Sequence, residues 1–347
     1  MTKTISYKEK IRDQKQQFKF FLLKTISKYP LLCSFYYVVN SSFRREHHSV
    51  INGKYRYHSN QEGAVYKLRR NIHRIEKGLI MIPRRDNFAT SYIEETIEAF
   101  EILSKEKSMV DDSTFNWFND VLEEYFKVTG NHPNIIKMRE KYSLIISNLE
   151  SDERVNRSIP YLRNLGEKPK VTINEFIDLS ILRRSVRFFE DKKVPREMID
   201  KAIYAAGLSP SACNRQPYKF RVFDDPKLVS EIAELPGGTA GYRDNIPVIV
   251  AVTGELGAYP FERDRHVIYI DSSLAAMSFL YGLEVQGISS CIINWPDVEH
   301  REAKIAEFLN LEKDERVIML IALGFPNKDA KVPFSSKKNL NTIRRYN

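Results

Sequence analysis

The chain has 347 residues, of which 42% are hydrophobic and 29% charged, an ordinary composition for a globular protein with material for roughly two domains. Its three cysteines, Cys33, Cys213 and Cys291, are far apart and form no CxxC pair or His/Cys cluster, which excludes a disulfide scaffold and a zinc-type metal site. This cysteine usage favours a reducing compartment, so we expect a cytoplasmic location.

Positive charge is concentrated at the N-terminus. Residues 1–85 hold nineteen Lys/Arg and five Asp/Glu, a net charge of +14 against +9 for the whole chain. Such an asymmetry predicts an anionic partner for this part, and charge alone does not distinguish a membrane surface from a polyanionic macromolecule. We expect peripheral membrane contact or another anionic partner for residues 1–85, and no specific nucleic acid.

Residues 18–39 are rich in aliphatic and aromatic side chains but are interrupted by Lys19, Lys24, Lys28 and Pro30. The run is too broken for a membrane-spanning helix, which needs ~20 predominantly apolar residues. Two interpretations stay open for residues 1–50: an amphipathic helix in a membrane interface, or a helix whose apolar face packs on its own domain or on a partner subunit.

Residues 51–150 read as a helical accessory domain. Apolar positions recur with a helical period at 66–79, 91–107, 113–128 and 134–149, and Thr114 is a candidate N-cap. The segment shows neither a glycine-rich phosphate loop nor paired acids. His73 lies in a basic helix without a visible partner, so we interpret it as structural or solvated.

Residues 151–171 contain charged residues, glycine and proline and show no regular apolar periodicity, so we predict a linker there. The C-terminal domain, 172–347, then begins with Thr172 and Glu175, which fit a capping box. The helix they start delivers Arg183, Arg184 and Arg187 at its C-terminal end. Guanidinium forks match phosphate geometry, so this cluster predicts a phosphorylated ligand, with a solvated basic turn as the alternative.

The rest of this domain alternates helices and strands. Strands are predicted at 220–223, 246–252, 288–293 and 317–323, and helices from 195, at 271–283 and at 299–309. The helix at 271–283 is too apolar around its circumference to face water, so it belongs in a core or a subunit interface. A sheet with helices on its faces, of class α+β or α/β, is expected.

Four segments of this domain, at 183–187, 209–218, 287–291 and 322–326, resemble in sequence and order the FMN-dependent nitroreductase family. The resemblance covers residues 173–347, and residues 61–90 resemble the N-terminal extension of a long subgroup. It implies an α+β three-layer sandwich, with a central mostly antiparallel sheet flanked by helices, plus an N-terminal helical extension. It also implies an obligate homodimer with FMN in a groove between the subunits.

By position, the resemblance assigns the cofactor contacts. Arg183 and Ser185 would hold the FMN phosphate and ribityl end, with Lys337, or Lys338 in reserve, as a second cation on the phosphate. Arg187 would lie near the N1/C2=O edge, where a cation stabilises reduced flavin. Arg184 is expected to be a structural or solvent-facing neighbour. A loop from the other subunit would reach the flavin ring through Pro210, Ser211, Ala212 and Asn214, with Gln216 supporting the loop. The backbone amides of Ile292, Ile293 and Asn294 would lie at the N5/O4 edge of the flavin.

The implied function is that of an FMN-dependent oxidoreductase with NADH or NADPH as hydride donor and a small conjugated electrophile, such as a nitro compound or quinone, as acceptor. Desaturation of a substrate fits the same residues, and no catalytic side chain is nominated. The alternative is a flavin-fold protein that works by docking to a membrane or a biosynthetic complex, with its pocket closed by Trp295.

Three local features bear on the pocket. Trp295 either stacks on substrate or fills the pocket. The glycine-rich segment 237–243 precedes a strand, which suits a flap bordering the pocket better than a phosphate loop. Residues 254–265 occupy the region where such enzymes vary their lids, and Cys213, inside the loop, is interpreted as a packing residue.

Overall fold

The computed structural model describes residues 7–59, 61–149, 157–164 and 166–347. The chain divides into two compact units, Met1–His48 and Ser49–Asn347. Of the predicted linker, residues 151–156 and 165 lie outside the described residues.

The first unit contains helices α1 (Tyr7–Ile26) and α2 (Pro30–Val39). Pro30 lies in the first turn of α2, where a missing N–H breaks no helical hydrogen bond. The expectation of a single helix is therefore wrong. Both helices expose large apolar side chains, Leu31 being 85% exposed, and an apolar groove of about 590 Å³ runs between them. Among the described residues, no helix is long and apolar enough to cross a membrane.

A helical region follows, with α3 (Arg44–Ser59), α4 (Gln61–Leu79), α5 (Ile93–Lys105), α6 (Asp112–Val128) and α7 (Pro133–Ser147). The four helices predicted after residue 60 are confirmed. Leu68, Ile72 and Ile75 of α4 are fully buried in its core, as are Phe100 and Tyr125. Leu68, Ile72 and Ile75 belong to the apolar face that the helical period at 66–79 predicts, and this face packs α4 against α5 and α6.

A proposed helix cap needs correction. The side chain of Asp111 accepts a hydrogen bond from Thr114 N at 2.9 Å, so the N-cap of α6 is Asp111 and not Thr114. Aspartate accepts from the free N–H groups of the first turn without itself needing to be helical. The hydrogen bond from the Ser113 hydroxyl, together with that from Thr114 N, lowers the pKa of Asp111 to about 2.

The second half of the chain is built on an antiparallel sheet in the order β1-β2-β4-β3. The strands are β1 (Tyr218–Phe223), β2 (Val248–Glu255), β3 (Ser289–Asn294) and β4 (Glu315–Gly324). In the register, Ala251 of β2 pairs with Leu320, and Cys291 of β3 with Ala322. Both inner strands are almost wholly buried, and β3 forms one edge.

The helices of this half are α8 (Ile173–Leu182), α9 (Arg196–Gly207), α10 (Pro226–Glu234), α11 (Val267–Glu284), α12 (Glu299–Leu309) and the short α13 (Leu340–Ile343). Helices α9 to α12 cover the two faces of the sheet. Val250 packs with α9 and α11 on one face, and Ala251 packs with α10 and α12 on the other. Successive strand residues point to opposite faces, so the result is the predicted α+β three-layer sandwich, with N-terminal helices.

Apolar surface remains open on two helices of the sandwich. The described residues of α8 include none that is buried, and Ile181 and Leu182 are among the exposed ones. On α11, Ala275 and Phe279 are in the core, whereas Ile270 and Leu274 are exposed. One side of α11 is thus a core face, as predicted, and its other side is an uncovered apolar surface in a single chain.

Candidate functional site

The arginine segment follows directly from α8. Its predicted capping box is present: Thr172 Oγ1 accepts from Glu175 N at 3.3 Å, and Glu175 accepts from Thr172 N at 2.6 Å. The helix ends at Leu182, with Arg183 as C-cap. Ser185 then forms a β-bridge with Ser290, and Val186 N donates to Ser290 O at 3.0 Å. The cluster is therefore fixed beside the start of β3.

Arg184 binds the C-terminal tail. Its guanidinium donates to the carbonyl oxygens of Pro333, at 2.5 Å, and Phe334. This agrees with the structural role expected for Arg184. Lys337 and Lys338, three and four residues further on, are exposed, and their contact with a phosphate stays a prediction.

Residues near the end of β3 alternate between buried and exposed positions, and this alternation separates the next candidate cofactor residues. Cys291 and Ile293 are buried, whereas Ile292 is 44% exposed and Asn294 is also exposed. Trp295 continues the inward series: it is buried in the sheet core, and its indole N–H donates to Glu302. The expectation that Trp295 stacks on substrate or closes the pocket is therefore wrong, because strand alternation turns it away from the exposed face.

An open cavity of about 480 Å³ brings predicted residues together. Its walls come from the arginine segment, the glycine-rich segment, β3 and the start of α12, and its lining includes Arg187, Ile292, Ile293 and Asn294. Gly237, Gly238 and Tyr242 also line it, and the role of this segment as a flap at a cofactor pocket stays a prediction. The Arg187 guanidinium lies 5.9 Å from the centre of the Tyr242 ring.

Electrostatics in this cavity are dominated by cations. Arg187 and Arg301 both line it, and its lining contains no carboxylate. Burial raises the pKa of the Cys291 thiol, and the nearby Arg187 only partly opposes that rise. Cys291 therefore remains a neutral thiol at physiological pH, unsuited to act as a nucleophile.

The amide-rich loop lies elsewhere in the chain, between α9 and β1. It contains Cys213, Asn214 and Gln216 in left-handed backbone conformations. Ala212 N donates to Asp271 Oδ2 at 3.0 Å, and Gln216 N donates to Ser211 Oγ at 3.0 Å. No residue of this loop lines the cavity around Arg187 in one chain. The described residues thus place the candidate site in two separate parts.

Three residues that hold the loop were missed in the sequence. Arg69 of α4 donates from Nε to Asn214 O at 3.0 Å and from its terminal nitrogen to Gln216 Oε1 at 2.8 Å. Asp271 also accepts from Tyr259 OH at 2.8 Å. Tyr259 lies in the segment expected to form a lid, yet it is buried. Burial raises the pKa of Asp271, and its two hydrogen bonds oppose this.

Only one of these three carried a signal. Asp271 and the terminal Glu284 are the two acids of the long apolar helix α11, and a buried carboxylate within such a helix needs hydrogen-bond donors. His73, also on α4, has its pKa lowered by burial and by Lys77 and Arg215, which agrees with a structural histidine.

The residues around Arg187 fit an anionic, planar cofactor such as FMN. The Oγ of Ser290, opposite Ser185, is buried and has no hydrogen-bond partner among the described residues. β3 is an edge strand, so beyond its bridge to Ser185 it offers backbone donors and acceptors to a ligand. A larger cavity of about 720 Å³, bordered by residues 190–194 and 243–248, contains none of the predicted residues.

Comparison with known proteins identifies this region. A family model described as "Nitroreductase family" matches residues 182–241 and 240–325. Residues 182–325 are therefore similar to the nitroreductase family. The match begins at Leu182, immediately before the arginine cluster, and ends at Phe325, just past β4.

The relatives that match this part of the chain differ in their named activities. Iodotyrosine deiodinase 1 of Sus scrofa is 28% identical over 224 residues, covering 56% of this chain and 76% of that protein. A protein of Archaeoglobus fulgidus, named as a candidate NADH dehydrogenase/NAD(P)H nitroreductase, is 27% identical over 179 residues, covering 50% of this chain and 97% of its own. A solved FMN-dependent nitroreductase from Clostridium difficile aligns with a TM-score of 0.43 and 22% identity, covering 49% of this chain and 99% of that structure.

Proposed function

We propose that the protein is an FMN-dependent oxidoreductase that uses NADH or NADPH. The observation that carries this proposal is the cavity in which Arg187 meets the exposed edge residues Ile292 and Asn294, inside the segment that is similar to the nitroreductase family. Bound FMN would supply the hydride chemistry, accepting a hydride from NAD(P)H and returning electrons to a small conjugated electrophile.

The chain's own residues bind and orient the cofactor. Arg183 and Ser185, fixed at the end of α8, offer charged and hydroxyl contacts to the phosphate. Lys337 adds a second cation, because Arg184 ties the tail to this segment through Pro333. Arg187 places positive charge at the pyrimidine edge, where it favours the reduced, anionic form.

The second part of the site comes from a partner subunit in this proposal. The loop with Asn214 and Gln216 does not reach the cavity of its own chain, while α8 and α11 leave apolar surface uncovered. A homodimer that joins these surfaces would bring the loop of one subunit to the arginine segment of the other. No side chain need act as acid, base or nucleophile, in keeping with the neutral Cys291.

The acceptor is proposed by class only. The relatives' names cover nitroreduction and iodotyrosine deiodination, so nitroaromatics, quinones and halogenated phenols form the panel to test. The open wall of the cavity at Gly237 and Gly238 leaves room for a planar acceptor.

Removing the two phosphate cations tests the cofactor assignment. In Arg183→Ala with Lys337→Ala, we expect FMN affinity to fall at least a hundredfold, since a charged hydrogen bond contributes ~1.5–3 kcal/mol. Titration of the apoprotein with FMN, followed by quenching of free flavin fluorescence, measures this. The matched control, Lys193→Ala with Lys201→Ala, removes two exposed charges from the same domain and should bind FMN like the parent.

Two results would contradict the assignment. A parent protein that is colourless and does not bind added FMN rejects the function. Unchanged affinity in the double variant rejects the phosphate site alone. Anaerobic bleaching of the bound flavin by NADPH or NADH, read at the visible absorption bands, identifies the donor.

We also infer that the first unit attaches to an anionic membrane surface. Residues 1–48 hold ten Lys/Arg and three Asp/Glu, and α2 contains no charged residue. Leu31, Phe35 and Val38 lie on one exposed face of α2. At ten residues α2 is about 15 Å long, half the thickness of a bilayer core. Exposed apolar side chains flanked by cations favour an interfacial position.

Sedimentation with lipid vesicles tests this attachment on the full chain. We expect binding to vesicles containing anionic phosphatidylglycerol and little binding to pure phosphatidylcholine. Leu31→Ser with Phe35→Ser should lower binding at least tenfold. Leu144→Ser, an equally exposed site on α7, is the control and should not change it. Equal binding of both vesicle types, or self-association without lipid, would reject an anionic membrane as the occupant.

A further inference from the structure

The cofactor loop is held in a conformation that its own sequence does not favour. Cys213, Asn214 and Gln216 have φ angles of 53°, 50° and 50°, in the left-handed region that residues other than glycine rarely adopt. Such conformations cost free energy and persist only where surrounding structure fixes them. Groups outside the left-handed residues must therefore fix this loop.

Some of the hydrogen bonds that fix the loop come from the loop itself and from the sandwich. Gln216 Nε2 donates to Gly207 O at 2.9 Å, Gln216 N donates to Ser211 Oγ, and Asp271 accepts from Ala212 N. None of these contacts fixes the carbonyl of Asn214. That carbonyl, at the centre of the left-handed stretch, accepts from Arg69.

Arg69 comes from outside the nitroreductase-like segment, 145 residues earlier in the chain than Asn214. Its guanidinium makes two contacts with the loop, to Asn214 O and to the side-chain oxygen of Gln216. One planar fork thereby binds two left-handed residues at once, which a lysine ammonium cannot do with the same geometry. α4, which carries Arg69, is anchored in the helical core by Leu68 and Ile72.

The surroundings of Arg69 show that its charge is held there at a cost. The side chain is largely buried, and burial lowers its pKa. Among the described residues no carboxylate forms an ion pair with it; the guanidinium lies 5.5 Å from the Trp117 ring centre, and its hydrogen-bond acceptors are neutral. A largely buried cation whose hydrogen-bond acceptors are neutral is unfavourable for stability alone, and the acidic groups near it, Asp111 among them, only partly oppose the effect of burial on its pKa.

We propose that Arg69 is a positioning residue for the flavin loop, so that the helical region completes the cofactor site of the nitroreductase-like segment. This rests on the proposed function for its consequence in FMN binding, whereas its effect on the loop stands independently. The helical region is then part of the site and not an accessory to it.

Hydrogen exchange of the full-length protein without FMN tests the positioning. The loop amides of Ala212, Asn214 and Gln216 are hydrogen-bonded and should exchange slowly in the parent. In Arg69→Ala we expect exchange across residues 211–216 to accelerate at least tenfold, with the amides of β4 unchanged. Lys77→Ala, an exposed cation on the same helix, is the control and should leave the loop at the parent rate.

Flavin binding supplies the second readout. Arg69→Ala should weaken FMN at least tenfold and shift the visible spectrum of the flavin that remains bound. Arg69→Lys, which restores the charge but not the fork, should fall between Arg69→Ala and the parent in both measurements. It also replaces Arg69→Ala if that variant does not fold.

The outcomes separate the two proposals. Loop exchange at the parent rate in both Arg69 variants overturns the positioning role, whatever FMN does. A parent that does not bind FMN, with a loop that still loosens in Arg69→Ala, rejects the proposed function and supports the positioning role. A global loss of protection in both variants, including β4, would show that Arg69 stabilises the whole fold and overturns the specific role.

Discussion

Trp295 and Ile292 lie three residues apart in the chain, yet their side chains lie in opposite environments. Trp295 is 8% exposed and lies in the core, and Ile292 is 44% exposed and lines the cavity. We expect Trp295→Phe to cost about 1–3 kcal/mol, because it removes core volume and the indole donor to Glu302, without changing FMN affinity. Ile292→Ala should cost under about 1 kcal/mol but weaken FMN. Urea unfolding and FMN titration of both variants measure the contrast.

The opposite pattern would contradict the orientation of the strand. If Trp295→Phe altered the flavin spectrum while Ile292→Ala lowered only stability, β3 would present its other face to the cofactor. A one-residue change of register exchanges every side chain between the faces of a strand, so this pair of variants is a sensitive test.

At the scale of single residues, sequence reasoning succeeds where the determinant is local. Arg184 contacts the C-terminal tail, as expected of a structural neighbour. Arg187 lines the cavity, and its place beside a flavin stays a prediction. Arg69 could not be found in this way, because its acceptors lie 145 and 147 positions away. A basic residue on an amphipathic helix reads as solvated unless the tertiary contact is known.

Elements are predictable to the extent that their ends carry chemical signals. The Thr172 and Glu175 pair fixes the start of α8, and Pro30 fixes the start of α2. At α6 both Asp111 and Thr114 are acceptable caps by residue type, and only the observed hydrogen bond chooses Asp111. The strands at 246–252, 288–293 and 317–323 were predicted from apolar runs, which mark burial directly, and the strand at 220–223 was predicted from its alternation.

The connections between elements were less predictable. The sheet order β1-β2-β4-β3 follows from which strands pair, and apolar runs of similar composition do not specify partners. The left-handed positions of the loop are not occupied by glycine, so the sequence does not mark them. Their conformation depends on Asp271 and Arg69, two groups from other elements, so no local pattern encodes it.

For the whole molecule, the uncovered apolar surface is the feature that a single chain leaves unexplained. α8 and α11 both expose aliphatic side chains, among them Ile181 and Leu274. Exposed patches of this kind on a folded domain mark interaction sites. Two separated halves of the proposed cofactor site fit a symmetric pair, in which each subunit would complete the site of the other.

A charge placed on α11 tests this assembly. Leu274 is 44% exposed on the uncovered side of α11. Leu274→Glu would bury a carboxylate in an apolar interface, so we expect it to convert a dimer into monomers. Because the loop and the arginine segment would then no longer meet, bound FMN should be lost with the dimer. Light scattering after size exclusion gives the mass, and absorbance at the flavin bands gives the occupancy.

The control uses the same change on another surface. Leu144, on α7, is 68% exposed, and Leu144→Glu should leave both mass and flavin content at the parent values. A Leu274→Glu protein that stays dimeric would place the interface elsewhere. A monomer that keeps its FMN would show that one chain suffices for the cofactor, and the loop of residues 211–216 would then have to act within its own subunit.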